Sequence, residues 1–372
     1  MPAPNDSGPR LSRAQKEIWM AQQIHPASAK YNIAQFIEIT GPVDEQRFDA
    51  ALKQAVKEAD ALNFCFVALH GEPKRVLAGA NSWLLPAHDL HAERDPRMAA
   101  QTWMKADLLR PVDLNTWPLF AFALFKTAAD NFLWYQRFHH IVMDGFSRAI
   151  FAQRVAKIYT ELMTRAHRDE NKFLSFESYL RDDDAYFKSE QFSDDRKYWL
   201  ERFADRPEPT SLANGFAPAS DRFLRQTIVL SQSELDGLNA VAQSVEASWK
   251  QVIVAAVAIY ASRITRSADI VLTLPVSGRT GAAARRVPGM MSNALALRLS
   301  VHSHKTLSEH VRQVAAEIQQ LLRHQRYRGE DLDRENWQRR WEPEADGALG
   351  QHYGLRLRSV LRWFVGNGLQ PV

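Results

Sequence analysis

At 372 residues, with 45% apolar and 24% charged side chains, the chain has the make-up of a soluble globular protein long enough for two ordinary domains. The net charge of +4, from 47 basic and 43 acidic residues, is a small excess of interspersed signs, and no recognition motif turns the pI of about 9.1 into an argument for nucleic-acid binding. The single cysteine, Cys65, excludes an internal disulfide and suits a reducing, cytoplasmic compartment; the first residues lack an apolar signal core, and the longest apolar run, 252–261, is too short to span a membrane.

In chain order, residues 11–24 place Ala14, Ile18, Trp19 and Ala21 at helical spacing behind Ser12, a natural N-cap. A strand is predicted over 31–40 and ends at Gly41-Pro42. Asp44 then caps a helix to Glu58, with Phe48, Leu52 and Val56 on one face. A strand over 61–67, a hairpin and extended segment over 71–89, and a helix over 96–109 follow. Beyond Trp117-Pro118 a strand runs to Lys126, the aromatic run 131–138 is another, and 147–165 is an amphipathic helix. Two helices, 176–187 and 193–203, precede a Pro-, Gly-, Ser- and Ala-rich stretch from Arg206 to Pro218, which reads as a domain boundary. The second half predicts a strand over 223–230, a helix capped by Ser231 and a very apolar helix over 249–262. A strand over 269–275 buried on both faces, a strand over 294–301 and a helix over 307–323 complete it. The expected domains are 1–205, 206–328 and a divergent, poorly ordered tail, 329–372. In that tail Trp337, Arg339, Arg340 and Trp341 keep no sustained period of two or of 3.6.

Chemistry concentrates between the strand 131–138 and the following helix, at His139-His140-Ile141-Val142-Met143-Asp144-Gly145-Phe146-Ser147. Neighbouring strand side chains point to opposite faces, so one imidazole can face an open cavity while the other is held inside. Adjacent strand histidines rarely converge on one ion, so no metal is expected. A single imidazole, with its ordinary pKa near 6.5, suits a base or hydrogen-bond partner at neutral pH. Asp144 is placed to pair with a cation and fix the turn, and Gly145 lets backbone approach a neighbouring group at the helix start. The bland alternative is two buried histidines beside a helix-capping turn.

This stretch resembles the HHxxxDG signature of the condensation domains of nonribosomal peptide synthetases, in the chloramphenicol acetyltransferase-like superfamily. It matches at His139, His140, Asp144 and Gly145, and Ser147 also suits the family. Ser12 and Ala14-Gln15 ahead of Trp19 resemble the opening motif, while Leu62 and Phe66 fit the second motif only loosely. Asp113-Leu114 followed by Pro118-Leu119-Phe120 repeats the family's approach to its histidine strand. Tyr186, Tyr198 and Trp199 resemble the aromatic motif that closes the N-terminal lobe. Gly278-Arg279 with Gly289, Met290 and Asn293 resembles the fifth motif, and the likeness fades beyond Arg328. Within the family the sequence looks most like starter condensation domains of siderophore synthetases, such as the serine-activating component of enterobactin synthase. Ile18-Trp19-Met20-Ala21, Ile39-Thr40-Gly41-Pro42-Val43-Asp44, Trp134-Tyr135-Gln136-Arg137-Phe138-His139-His140 and Arg323-His324-Gln325-Arg326-Tyr327 carry that likeness.

The resemblance implies an α/β (α+β) fold: two chloramphenicol acetyltransferase-like lobes in a V, the second incomplete, with His140 at the cleft. It implies an acyltransferase-type condensation that joins a carrier-bound acyl thioester, an aryl one such as 2,3-dihydroxybenzoyl, to a carrier-bound aminoacyl thioester. The partners are an aryl or acyl carrier protein as donor and a peptidyl carrier protein as acceptor, both presenting substrate on phosphopantetheine. No cofactor is bound directly, and no metal, nucleic acid or membrane is involved. His140 would orient the amine and take its proton, and the Gly145 N–H would stabilise the tetrahedral intermediate. His139 and Asp144 would be supports, Asp144 pairing with Arg279, while Ser147, Met290 and Asn293 would line the substrate tunnel. The rivals are an acyl-CoA-dependent acyltransferase or an epimerisation domain of the same fold, and a truncated, non-catalytic remnant that keeps a carrier-docking surface. The heterocyclising variant, which carries aspartates in place of the histidines, is disfavoured by His139-His140.

Overall fold

A computed structural model describes residues 10–78, 83–165, 172–207, 212 and 228–340. These divide into two compact units. One holds the residues up to Phe187 together with Arg279–Ser292, and the other holds Lys188–Gly278 and the residues from Asn293 on.

In the first unit α1 (Arg13–Ile24) begins at a capping box, in which Ser12 Oγ accepts from the Gln15 N–H and the Gln15 side chain accepts from the Ser12 N–H. β1 (Asn32–Thr40) leads to α2 (Glu45–Glu58), whose first turn is held by the Asp44 carboxylate on the Arg47 N–H. The predicted strand at 61–67 starts later than expected. Asp60–Asn63 is a 3-10 turn, and β2 (Phe64–Leu69) then pairs antiparallel with β3 (Glu72–Leu77). β4 (Ala87–Asp89), α3 (Pro96–Leu108), β5 (Phe120–Ala128), β6 (Asn131–His139), α4 (Gly145–Thr164) and α5 (Phe176–Phe187) follow.

The sheet order is β1-β6-β5-β4, with β6 interior and antiparallel to both neighbours. Alternation along β6 explains its aromatic run. Phe132, Trp134 and Phe138 join a core with Phe48 and Leu52 of α2 and Phe151 and Val155 of α4. Leu133 and Tyr135 pack instead with Ala100 and Met104 of α3. The strand is thus buried on both faces, and its end is fixed from both sides. The His139 N–H donates to Leu119 O (2.8 Å) and the His140 N–H to Tyr31 O (2.7 Å).

The second unit contains α6 (Glu190–Arg202), α7 (Gln232–Ser244), α8 (Trp249–Thr265), β7 (Asp269–Val276), β8 (Asn293–Ser300), α9 (Leu307–Arg323) and α10 (Gly329–Arg340). Capping boxes at Ser231, Ser248 and Thr306 start α7, α8 and α9. β7 and β8 form an antiparallel pair, and its buried Ile270, Leu295, Leu297 and Leu299 meet Ala255 and Ala258 of α8 and Val311 and Val314 of α9.

Four expectations are revised here. The division falls after Phe187, so α6 belongs with the second unit: Trp199 is buried in that core and its Nε1 donates to His324 O (3.0 Å). The aromatic motif is therefore divided, Tyr186 lying in the first unit and Tyr198 stacking on His324 at 3.9 Å in the second. β7 is not covered on both faces. Ile270, Val271 and Val276 are buried, but Leu272, Thr273 and Leu274 are half-buried and Pro275 is exposed. Gly329–Arg340, expected as the start of a poorly ordered tail, is a helix. Leu332 enters the core, and Glu335 accepts from Tyr327 Oη (2.7 Å) and from Arg196 (2.6 and 2.9 Å). Of the strand predicted over 223–230, residues 228–230 have no regular structure and the rest lie outside the described residues, as do most of 205–220 and all of 341–372. No helix among the described residues is long and apolar enough to cross a membrane, and no group of three or more His, Cys, Asp or Glu there is placed to hold a metal.

Candidate active site

The two adjacent histidines have different surroundings. His139 is 1% exposed, lies 5.9 Å from the Tyr31 ring, and its Nδ1 accepts from the Ile141 N–H at 3.3 Å. That bond sets the tautomer, with the proton on Nε2. Burial pushes its pKa down to about 3, helped by His140 and by the Arg137 guanidinium on the same face of β6, so the ring is neutral at any ordinary pH. Arg137 is itself held by the buried Asp107, Nε to Oδ2 at 2.7 Å, and Tyr135 Oη donates to the same oxygen at 3.1 Å. Burial, then the Asp107 charge, holds the Tyr135 phenol well above its ordinary pKa, so it stays a donor. His140 is the half-buried member of the pair. Its main chain is fixed to the adjoining segment through Tyr31 O.

Beyond it the chain turns into α4 on Asp144, whose side chain is completely buried and fully used. Oδ1 accepts from the Ser147 N–H (2.8 Å) as the helix N-cap. Oδ2 accepts from Arg279 Nη1 (2.7 Å) and from the Met291 and Ser292 N–H groups (3.0 and 3.1 Å). Arg279 is as deeply buried. Its Nη2 donates to Ser147 Oγ (2.6 Å) and to the carbonyls of Gly289 (3.2 Å) and Val287 (3.3 Å), and its guanidinium lies 4.8 Å from the Phe146 ring centroid. A buried pair repays its desolvation only when the remaining donors and acceptors are also satisfied, and here they nearly all are. This network gives the segment Arg279–Ser292 its place in the first unit. Gly289, at φ +155°, lies so close to Phe176 that a Cβ would sit 2.3 Å from the ring, so only glycine fits.

The three residues expected to line a substrate tunnel are all buried. Ser147 is completely buried, and its hydroxyl both donates to Gly289 O (2.8 Å) and accepts from Gly289 N (2.9 Å). Met290 is packed in the main core of the first unit. Asn293 lies in the second unit, where Nδ2 donates to Gln325 O and Tyr327 O while Oδ1 accepts from Ala294 and Gly329 N–H. Gly145 is the exception. It is exposed at the first position of α4, where an added Cβ would meet nothing within 4 Å. Its value is the open space it leaves beside the helix N-terminus, where N–H groups and the helix dipole favour negative charge.

Comparison with known proteins adds to this geometry. The condensation domain family model matches residues 9–343. A dimodular nonribosomal peptide synthase of Bacillus subtilis (strain 168) is 42% identical over 335 residues, which is 90% of this chain and 14% of that protein. Enterobactin synthase component F of Escherichia coli (strain K12) is a more distant relative, 28% identical over 331 residues, 88% of this chain and 25% of that protein. The chain therefore spans a small part of the length of these relatives. Among solved structures, the first condensation domain of the calcium-dependent antibiotic synthetase with a substrate analogue superposes with a TM-score of 0.83 at 36% identity, covering 89% of this chain and 78% of that one. A mutant of the starter condensation domain of rhizomide synthetase, in complex with C8-CoA and Leu-SNAC, gives 0.82 at 41% identity, covering 88% and 74%.

Proposed function

We propose that this chain, which belongs to the condensation domain family of nonribosomal peptide synthetases, acylates a thioester-bound amino acid at His140. Condensation domains are acyltransferase-type enzymes that form amide bonds, working with carrier domains that present substrates on phosphopantetheine. The observation that carries the reading is the asymmetry of the two histidines, one sealed and held neutral, the other half-buried on a fixed main chain.

The chemistry follows from what the amine lacks. An α-amine with a pKa near 8 is mostly protonated at pH 7 and has no lone pair to attack with. His140 orients the neutral amine and accepts its proton as nitrogen bonds to the thioester carbon. Negative charge then gathers on the carbonyl oxygen, beside the Gly145 N–H at the start of α4. Collapse breaks the C–S bond, and the departing thiolate takes the proton from His140, which returns to its neutral form. Asp144 and Arg279 hold the turn without touching substrate. The activated thioester supplies the driving force, so the residues need only position, move a proton and stabilise charge.

For the donor, we propose an aryl thioester, 2,3-dihydroxybenzoyl-like and delivered by an aryl carrier protein. Its support is the likeness to the enterobactin synthase component. A second reading, an acyl group delivered on CoA, is favoured by the 41% identity to a starter domain crystallised with C8-CoA. The test offers the chain an aminoacyl-SNAC with either an aryl-loaded carrier protein or octanoyl-CoA, and detects the N-acyl product by mass spectrometry. Aryl amide in excess supports the first donor, octanoyl amide the second. No amide from either would sink the enzymatic reading in favour of a carrier-docking remnant.

A further inference from the structure

The opening helix α1 reaches the histidine turn from a distance of more than a hundred residues in sequence. Gln15 is completely buried and makes three contacts at once. Its backbone N–H goes to Ser12 Oγ (3.1 Å), its side-chain oxygen takes the Ser12 N–H (3.1 Å), and its Nε2 donates to Ile141 O (3.0 Å). Two helical turns later on the same face stands Gln22, also buried. Its Nε2 reaches the carbonyls of His25 (3.3 Å), Pro26 (3.0 Å) and Ser28 (3.0 Å). That loop leads into Tyr31, whose carbonyl accepts the His140 N–H. One helix therefore holds the catalytic turn on both flanks: directly at Ile141 after His140, and through the 25–31 loop at the main chain of His140 itself.

We propose that Gln15 and Gln22 form a two-point clamp in which Gln15 is a positioning residue for His140, acting through the Ile141 carbonyl. This rests on the reading of His140 as the proton acceptor. The physical reason for glutamine is that its amide donates and accepts simultaneously. Glutamate at the same place also completes a capping box, but an ionised carboxylate cannot donate to Ile141 O. Helix capping and turn positioning are thus separable at a single atom.

The experiment compares Gln15→Glu and Ser12→Ala with the unaltered chain for turnover, melting temperature and amide hydrogen exchange. Gln15→Glu should melt earlier at neutral pH, because its carboxylate is buried opposite a carbonyl with no cation, and kcat of the folded fraction should fall on the order of ten- to a hundred-fold, as expected for a misplaced base, with KM little changed. Its rate relative to the parent should climb as pH falls, because the introduced carboxyl, once protonated, regains a donor toward Ile141 O. The His140 and Val142 amides should exchange faster. Ser12→Ala should melt earlier but keep kcat. Parent-like turnover and exchange in Gln15→Glu would overturn the clamp. So would losses in both variants that simply track melting temperature. If the parent chain makes no amide with any donor, the proposed function fails, and the exchange rates alone then decide the clamp.

Discussion

Among the described residues, Asp144 in the first unit and Asn293 in the second are buried side chains that tie a turn together by filling their hydrogen-bonding capacity, but one is charged and the other neutral. In the first unit Asp144 gathers Ser147 N–H, Met291 N–H, Ser292 N–H and the Arg279 guanidinium. In the second, Asn293 donates to two carbonyls and accepts from two N–H groups. Both join segments far apart in sequence. An amide does this at modest cost, since losing it leaves neutral groups unpaired. A carboxylate does it only with a cation, and losing either member leaves a full charge uncompensated in the interior. The costlier device stands at the N-terminus of α4, next to Gly145 and four residues after His140, where the turn must hold one geometry.

The largest expected effect separates chemistry from architecture in the first unit. His140→Ala should lower amide formation by about two to four orders of magnitude, the usual cost of losing a general base, with a small change in melting temperature. His139→Ala should show the opposite balance; matching losses for the two variants would remove any special role for His140. Next, Asp144→Ala should cost about 3–5 kcal/mol of stability, because Arg279 is left buried without its counter-charge. An unchanged denaturation midpoint would mean that the pair contributes nothing to the fold.

Asn293→Ala should cost less, about 1–3 kcal/mol for buried groups left unsatisfied, and should leave kcat of the folded fraction intact. A loss as large as that of Asp144→Ala would erase the distinction between the charged and the neutral staple. The smallest effect is seen only in acid. The unfolded chain binds a proton at position 139 near pH 6.5 but the folded chain only near pH 3. In that window the unfolded state therefore holds more protons. The contribution of His139 is complete above about pH 6.5 and is lost as pH falls toward 3, with a slope of up to about 1.4 kcal/mol per pH unit. His139→Asn keeps an acceptor for Ile141 N–H without a titrating ring, so its stability should fall less steeply between pH 6 and 4. Parallel profiles in denaturant titrations would refute the assignment.

The sequence by itself determined what is local or obligatory. Caps at Ser12, Asp44 and Ser231 mark helix starts because a side-chain oxygen two or three residues from an orphan N–H needs no tertiary help. The Asp144–Arg279 pairing is legible as well, since a carboxylate in a buried turn requires a cation and a matched motif supplies one. Tertiary structure alone decided where the polar residues of those motifs point. Ser147 and Asn293 read as tunnel residues because motif membership marks importance but not direction, and both turn inward to saturate backbone groups. Gln15 reads as a member of the opening motif with no contact assigned to it, because its partner carbonyl at Ile141 is adjacent only in the folded chain. α10 escapes the linear pattern for the same reason: without a regular apolar stripe, its place depends on Leu332 meeting a core, and Glu335 meeting Arg196 and Tyr327, contacts that only the folded chain supplies.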